Sequence, residues 1–154
     1  MKGKTVVFAA LVALSLIAAS CGGGAKETSG GKTEPGLKTE GGGETVDAEL
    51  KEMTITASPS SIAAGSVTFA ATNVGTIDHE LVVLKTDLAP DALPVKDGKV
   101  EEAGTGIQAI GEIEEFAPGK TESATFNLEA GKYVLLCNIA SHYQAGMRAA
   151  FTVS

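Results

Sequence analysis

Toward its C-terminal end the chain carries a cysteine, a histidine and a methionine at even intervals. They are Cys137, His142 and Met147, a Cys-x4-His-x4-Met array. The sequence holds two histidines, and the other, His79, stands where a turn, Thr76-Ile77-Asp78, leads into the apolar run Leu81-Val82-Val83-Leu84. Taken singly, these residues have ordinary uses as a buried thiol, a surface imidazole and a core methionine. Together they are a set of metal donors. Thiolate and thioether sulfur are soft and suit copper in its reduced state, whereas imidazole suits both oxidation states. Two His and one Cys in a trigonal set, with a weak axial Met, is the donor pattern of blue-copper electron-transfer sites. Zinc also takes Cys and His, but structural zinc is completed by further Cys or His rather than by Met. A binuclear copper centre needs a second nearby cysteine, and multicopper oxidase chemistry needs many more histidines. No Gly-x-Ser-x-Gly elbow occurs and both histidines are occupied, so no hydrolytic triad is supported. The reading is of a protein that is not an enzyme.

The sequence has two cysteines. Cys21 follows Lys2 and Lys4, an uncharged stretch from Thr5 to Ser20, and an apolar run, Val6 to Ala19. That run is shorter than the ~20 residues a membrane-spanning helix needs, and it has the form of an export signal. The segment Leu16-Ile17-Ala18-Ala19-Ser20-Cys21 resembles a bacterial lipoprotein signal, with Ala18 where that pattern usually has Leu. The resemblance implies a signal peptide over residues 1–20 and a lipidated Cys21. The chain would then be anchored to a membrane outside the cytoplasm, at the cell surface or in the periplasm. Cys137 is left without a disulfide partner in an oxidising compartment, which sharpens the case for metal ligation.

Residues 21–47 are dominated by Gly, Lys, Glu, Thr and Ser, with Leu37 and Val46 nearly the only large apolar side chains. Such a stretch buries too little surface to offset its ordering entropy and reads as a flexible linker. Its ~25 residues have a reach of roughly 25–30 Å, enough to hold a domain off a membrane. Residues 48–154 remain for one folded domain. The 154-residue chain has 12 basic and 19 acidic residues, and its formal net charge is −7. This balance speaks against nucleic acid, which requires clustered Lys and Arg, and favours cationic or positively patched partners.

From Met53 onward apolar residues alternate. Met53, Ile55 and Ala57 do so, then Val67, Phe69 and Ala71, then Ala124, Phe126 and Leu128. The runs Leu81 to Leu84, Tyr133 to Cys137 and Met147 to Val153 are short, β-favouring and bounded by turn residues. Asp97-Gly98, between Val95 and Val100, is a two-residue hairpin turn, while Leu88 to Leu93 suits a short helical turn. Gly104 to Phe116 shows no clear pattern. About seven short strands predict an all-β protein, an antiparallel β-sandwich. Tyr133, just after Gly131, suits a tyrosine corner with a structural role.

The stretch from Gly131 through Cys137 and His142 to Met147 resembles the copper-binding end of a cupredoxin, the plastocyanin/azurin family. Its ligand spacing is most similar to the auracyanin and rusticyanin branches. The resemblance covers roughly Met53 to Val153 and implies a Greek-key β-sandwich with one type 1 copper. The copper would be held by His79, Cys137, His142 and Met147 and would pass single electrons between redox donor and acceptor proteins. It also implies that Ile139, Ala140, Tyr143 and Ala145 form an apolar docking patch around His142. Two residues depart from the family pattern. Glu80 stands where Asn usually follows the first histidine, and it can accept hydrogen bonds from the ligand loop but not donate. Asp78 stands where azurins have Gly. The clusters Glu101-Glu102 and Glu112-Glu114-Glu115 read as solvated faces. The protein is expected to be a monomer. Two other readings stay open on the sequence: a lipoprotein that buffers or delivers copper without transferring electrons, and a metal-free scaffold module.

Overall fold

The computed structural model describes residues 43–154. The expected signal, Cys21 and most of the expected linker lie outside the described residues. Among the described residues are eleven strands and no helix. In chain order they are β1 (Glu44–Lys51), β2 (Thr54–Ser58), β3 (Ser61–Ile62), β4 (Gly65–Asn73), β5 (His79–Thr86) and β6 (Val95–Lys96). These are followed by β7 (Lys99–Val100), β8 (Ile107–Phe116), β9 (Thr121–Leu128), β10 (Gly131–Leu136) and β11 (Arg148–Val153). One sheet has the order β2-β1-β4-β9 and a second the order β3-β11-β10-β5-β8, with β6-β7 a separate hairpin. All pairings are antiparallel except β1 with β4 and β3 with β11. This is the all-β sandwich expected from the alternation, in the Greek-key form that the resemblance implied.

Alternation decides which side chains fill the sandwich. Val46 and Leu50 of β1 and Val67 and Phe69 of β4 meet Leu81 and Val83 of β5, Leu135 of β10 and Phe151 of β11. The Phe69 and Phe151 rings pack edge to face, with centroids 5.4 Å apart. The unbroken runs in β5 and β10 have a different cause. Val82, Leu84, Val134 and Leu136 point away from this core into a second cluster with Leu93, Val100 and Tyr143. The excursion between β5 and β8 covers that face, so both faces of β5 and β10 are apolar and neither strand alternates. Asp97 and Gly98 both have positive φ, 52° and 82°, and close the β6-β7 hairpin with Val95 opposite Val100. Two positive φ values are what a type I′ turn requires, and Gly adopts one without strain.

The structure differs from the sequence reading at four places. Strand β1 begins at Glu44, inside the stretch read as linker, because Val46, Ala48 and Leu50 alternate into the core and β1 lies alongside β4. Gly104 to Phe116, which showed no pattern, contains β8. Its ladder with β5 is irregular between His79 and Leu81 and again between Val83 and Leu84. Each irregularity breaks the period-two signal. The Leu88–Leu93 segment forms one turn, closed by Ala92 N–H on the Ala89 carbonyl, and no helix. The strand count rises to eleven because β1, β8 and three two-residue strands, β3, β6 and β7, accompany the six apolar runs. Tyr133 behaves as expected, its hydroxyl donating to the Glu129 carbonyl at 2.7 Å.

Candidate metal centre

Three neighbouring strands deliver the donor residues to one end of the larger sheet. Strand β10 pairs with β11, Leu136 opposite Arg148, so the residues just beyond, Cys137 and Met147, flank the mouth of the intervening loop. The Cys137 N–H donates to the Met147 carbonyl at 3.1 Å, and the Met147 N–H to the His142 carbonyl at 3.0 Å. Strand β10 also pairs with β5, Leu136 opposite Val82, and β5 starts at His79.

The loop between Cys137 and Met147 is a series of turns. His142 N–H donates to the Ile139 carbonyl, Ala145 N–H to Ser141 and Gly146 N–H to Tyr143, at 2.9–3.0 Å. Its outer side is fastened to the β6-β7 hairpin. The buried Asn138 amide donates to the Val100 carbonyl (3.1 Å) and to Glu102 Oε1 (2.7 Å), and its oxygen accepts from Val100 N–H (2.6 Å). Ser141 N–H donates to the Gly98 carbonyl at 2.8 Å. Tyr143 donates to the Pro90 carbonyl (2.8 Å) and accepts from Leu93 N–H (2.9 Å). Tyr143 is therefore an interior anchor and not part of a surface patch. Of the four residues expected to form that patch, Ala140 and Ala145 are exposed and Ile139 is partly buried against the main core.

The turn that carries His79 is held from inside. Asn73 is fully buried. Its amide donates to the carbonyls of Ile77 (2.8 Å) and Phe116 (3.1 Å), and its oxygen accepts from Gly75 N–H (3.0 Å). Glu52, from the turn after β1, accepts from Ile77 N–H (2.9 Å), the Thr76 hydroxyl (3.1 Å) and Thr76 N–H. These hydrogen bonds, the backbone ones foremost, hold its carboxyl down at a pKa of about 2. The sequence reading did not find Asn73, Glu52 or Asn138. Asn73 had a signal, since Asn-Val-Gly marks a turn in which the Asn side chain bonds backbone two residues on.

His79, Cys137 and His142 come together. Sγ of Cys137 lies 3.3 Å from His142 Nδ1 and 4.0 Å from His79 Nδ1, and one donor atom from each residue lies within 4.8 Å of the others. With metal–nitrogen and metal–sulfur bonds of ~2.0 and ~2.3 Å, donors spread about 120° apart lie about 3.7 Å from each other. The observed separations bracket that value, so the three side chains fit one small ion. Met147 is fully buried in the same cluster as Cys137. His79 and Cys137 have no exposed surface, whereas His142 is partly exposed.

Burial sets the protonation of the metal-free centre. It pushes the His79 pKa below its ordinary value, with the neighbouring His142 adding to the effect. It pushes the Cys137 thiol up, against the pull of the Glu80 and Ile139 backbone N–H groups, which favour the thiolate. The Glu80 carboxyl is also raised by burial, in part offset by a hydrogen bond from Asn138 N–H.

The family model of the sulfocyanin (SoxE) domain matches residues 52–154. The chain belongs to the sulfocyanin domain family. Sulfocyanins are cupredoxins, as the loop sequence implied, and the cofactor of a cupredoxin is one type 1 copper. Two solved structures share the fold with this sulfocyanin domain. Auracyanin from Roseiflexus castenholzii is 24% identical with a TM-score of 0.52, over 74% of this chain and 99% of its own. Auracyanin A from Chloroflexus aurantiacus, described as a "blue" copper protein, is 20% identical with a TM-score of 0.53, over 73% and 100%. No curated protein matches the chain.

Because Asn73 satisfies three backbone groups at once, Asn73→Ala is expected to cost about 2–3 kcal/mol in chemical unfolding of the metal-free domain. A loss under about 0.5 kcal/mol would mean that the turn before His79 does not depend on it.

Proposed function

We propose that this sulfocyanin-family chain is a membrane-tethered electron carrier working outside the cytoplasm, with copper held by His79, Cys137, His142 and Met147. The observation that carries the reading is the convergence of two imidazoles and a thiol, with a buried methionine at the same loop mouth, in a cupredoxin fold. When bound, copper supplies a one-electron Cu(II)/Cu(I) couple. The protein's part is to fix the donors and control access. His79, Cys137 and Met147 are sealed from solvent, which excludes water from the centre. His142 alone of the four reaches the surface, and it is the route by which an electron leaves or enters. The loop is bound at both ends and on its outer side, so it is set before metal arrives. A fixed donor set keeps the structural change on electron transfer small.

Redox donor and acceptor proteins are the partners this reading requires. The acidic balance of the chain favours partners with a positive patch, and the domain acts as a monomer. The lipid on Cys21 and the linker behind it supply the tether.

Two outcomes test the parts of this reading. Met147→Leu is expected to keep copper and raise the reduction potential, because loss of a weak axial donor disfavours the more highly charged oxidation state. An unchanged potential would count against axial ligation by Met147. In a lipoprotein-processing bacterial host, labelled fatty acid is expected on the full chain and absent from Cys21→Ala. An unlabelled wild-type chain would remove the tether.

A further inference from the structure

The fully buried His79 ring has two nitrogens to account for. Nδ1 is on the side of Cys137, where the donor atoms converge. Nε2 is enclosed and has no hydrogen-bond partner, the one such side-chain atom among the described residues. Glu52 Oε1 stands 3.8 Å from it. That is longer than a hydrogen bond, but a displacement under about 1 Å would make one.

The carboxylate is not there by accident of a loose surface chain. The same oxygen accepts from Thr76 N–H, the Thr76 hydroxyl and Ile77 N–H, so Glu52 is clamped to the turn that delivers His79. Gly75 makes room for it, since a Cβ there would lie 2.6 Å from that oxygen. A neutral imidazole carries one N–H, and the partner of one nitrogen decides which lone pair the other presents. An enclosed N–H without an acceptor costs about 1–3 kcal/mol, so the tautomer whose proton meets a carboxylate is favoured. A histidine ligand whose second nitrogen is held by a carboxylate has a fixed ring orientation and greater basicity.

We infer that Glu52 is a positioning residue for the metal centre: its carboxylate holds the His79 proton on Nε2 and so turns the Nδ1 lone pair toward Cys137 and His142. The consequence for copper rests on the ligand set proposed above. The tautomer is a property of the metal-free protein and is tested there.

The test is nitrogen-15 imidazole NMR of the metal-free full chain. His79 is expected as the Nε2–H tautomer, retained in Glu52→Gln, which keeps an acceptor oxygen, and largely lost in Glu52→Ala. Wild-type His79 as Nδ1–H, or an Ala variant with the wild-type tautomer, would overturn the inference. Loaded with Cu(II), Glu52→Ala is expected to bind ~10–100-fold more weakly and Glu52→Gln to lose less. A Gln variant as weak as the Ala variant would assign Glu52's role to its charge and overturn the tautomer account. If the Ala variant does not fold, Glu52→Leu, which fills similar space without an acceptor, is read in its place: loss of the Nε2–H tautomer supports the inference and a wild-type tautomer overturns it. Should the wild-type tautomer be as stated while no thiolate–copper signature forms, the ligand proposal fails and the positioning of His79 stands.

Discussion

The antiparallel ladder of β11, β10 and β5 is the constraint on which the centre depends. Leu136 is paired with Arg148 on one side and Val82 on the other, and these two pairings fix where Cys137, Met147 and His79 fall. The register cannot drift, because both faces of β5 and β10 are buried. Leu81, Val83 and Leu135 belong to the main core, while Val82, Leu84, Val134 and Leu136 belong to the second cluster. A slip of one residue would exchange every one of these environments. The packing that stabilises the sandwich is therefore the same packing that positions the donors.

Much of this was legible in the sequence, for reasons that differ by residue. The Cys-x4-His-x4-Met array is local, so its spacing alone states that one loop carries three donors. Asp97-Gly98 was legible because a two-residue turn with two positive φ values leaves few residue choices. Strand β1 was hidden in a Glu- and Thr-rich stretch, where small Ala48 stands between Val46 and Leu50 and weakens the alternation. Strand β8 was hidden by the irregularities in its ladder. Tyr143 was read as surface because an apolar residue beside His142 looks the same from the sequence whether it faces solvent or core. Glu52 and Asn138 were invisible because each acts on backbone groups delivered by another part of the fold, whereas Asn73 was legible as a turn residue through its bonds to Gly75 and Ile77 but not in its reach to Phe116.

Those polar residues explain how an irregular region can hold a defined geometry. The turn before His79 and the loop after Cys137 lie outside the ladders, so their backbone groups need other partners. Asn73 and Glu52 satisfy the first, and Asn138, Tyr143 and the β6-β7 hairpin satisfy the second. In the metal-free state burial favours a neutral imidazole and a neutral thiol, while N–H groups from Glu80 and Ile139 already face the sulfur. The surroundings are thus arranged for a thiolate that only a bound cation makes stable in so enclosed a place.

The central claim is that Cys137 is the thiolate ligand of a single type 1 copper. Visible absorption and EPR spectra of the Cu(II)-loaded full chain, beside its Cys137→Ser variant, test it most directly. An intense thiolate-to-copper band with narrow copper hyperfine splitting is expected in the wild-type chain, with both lost in the variant. Absence of the band from the wild-type chain, or its survival in Cys137→Ser, would contradict the account.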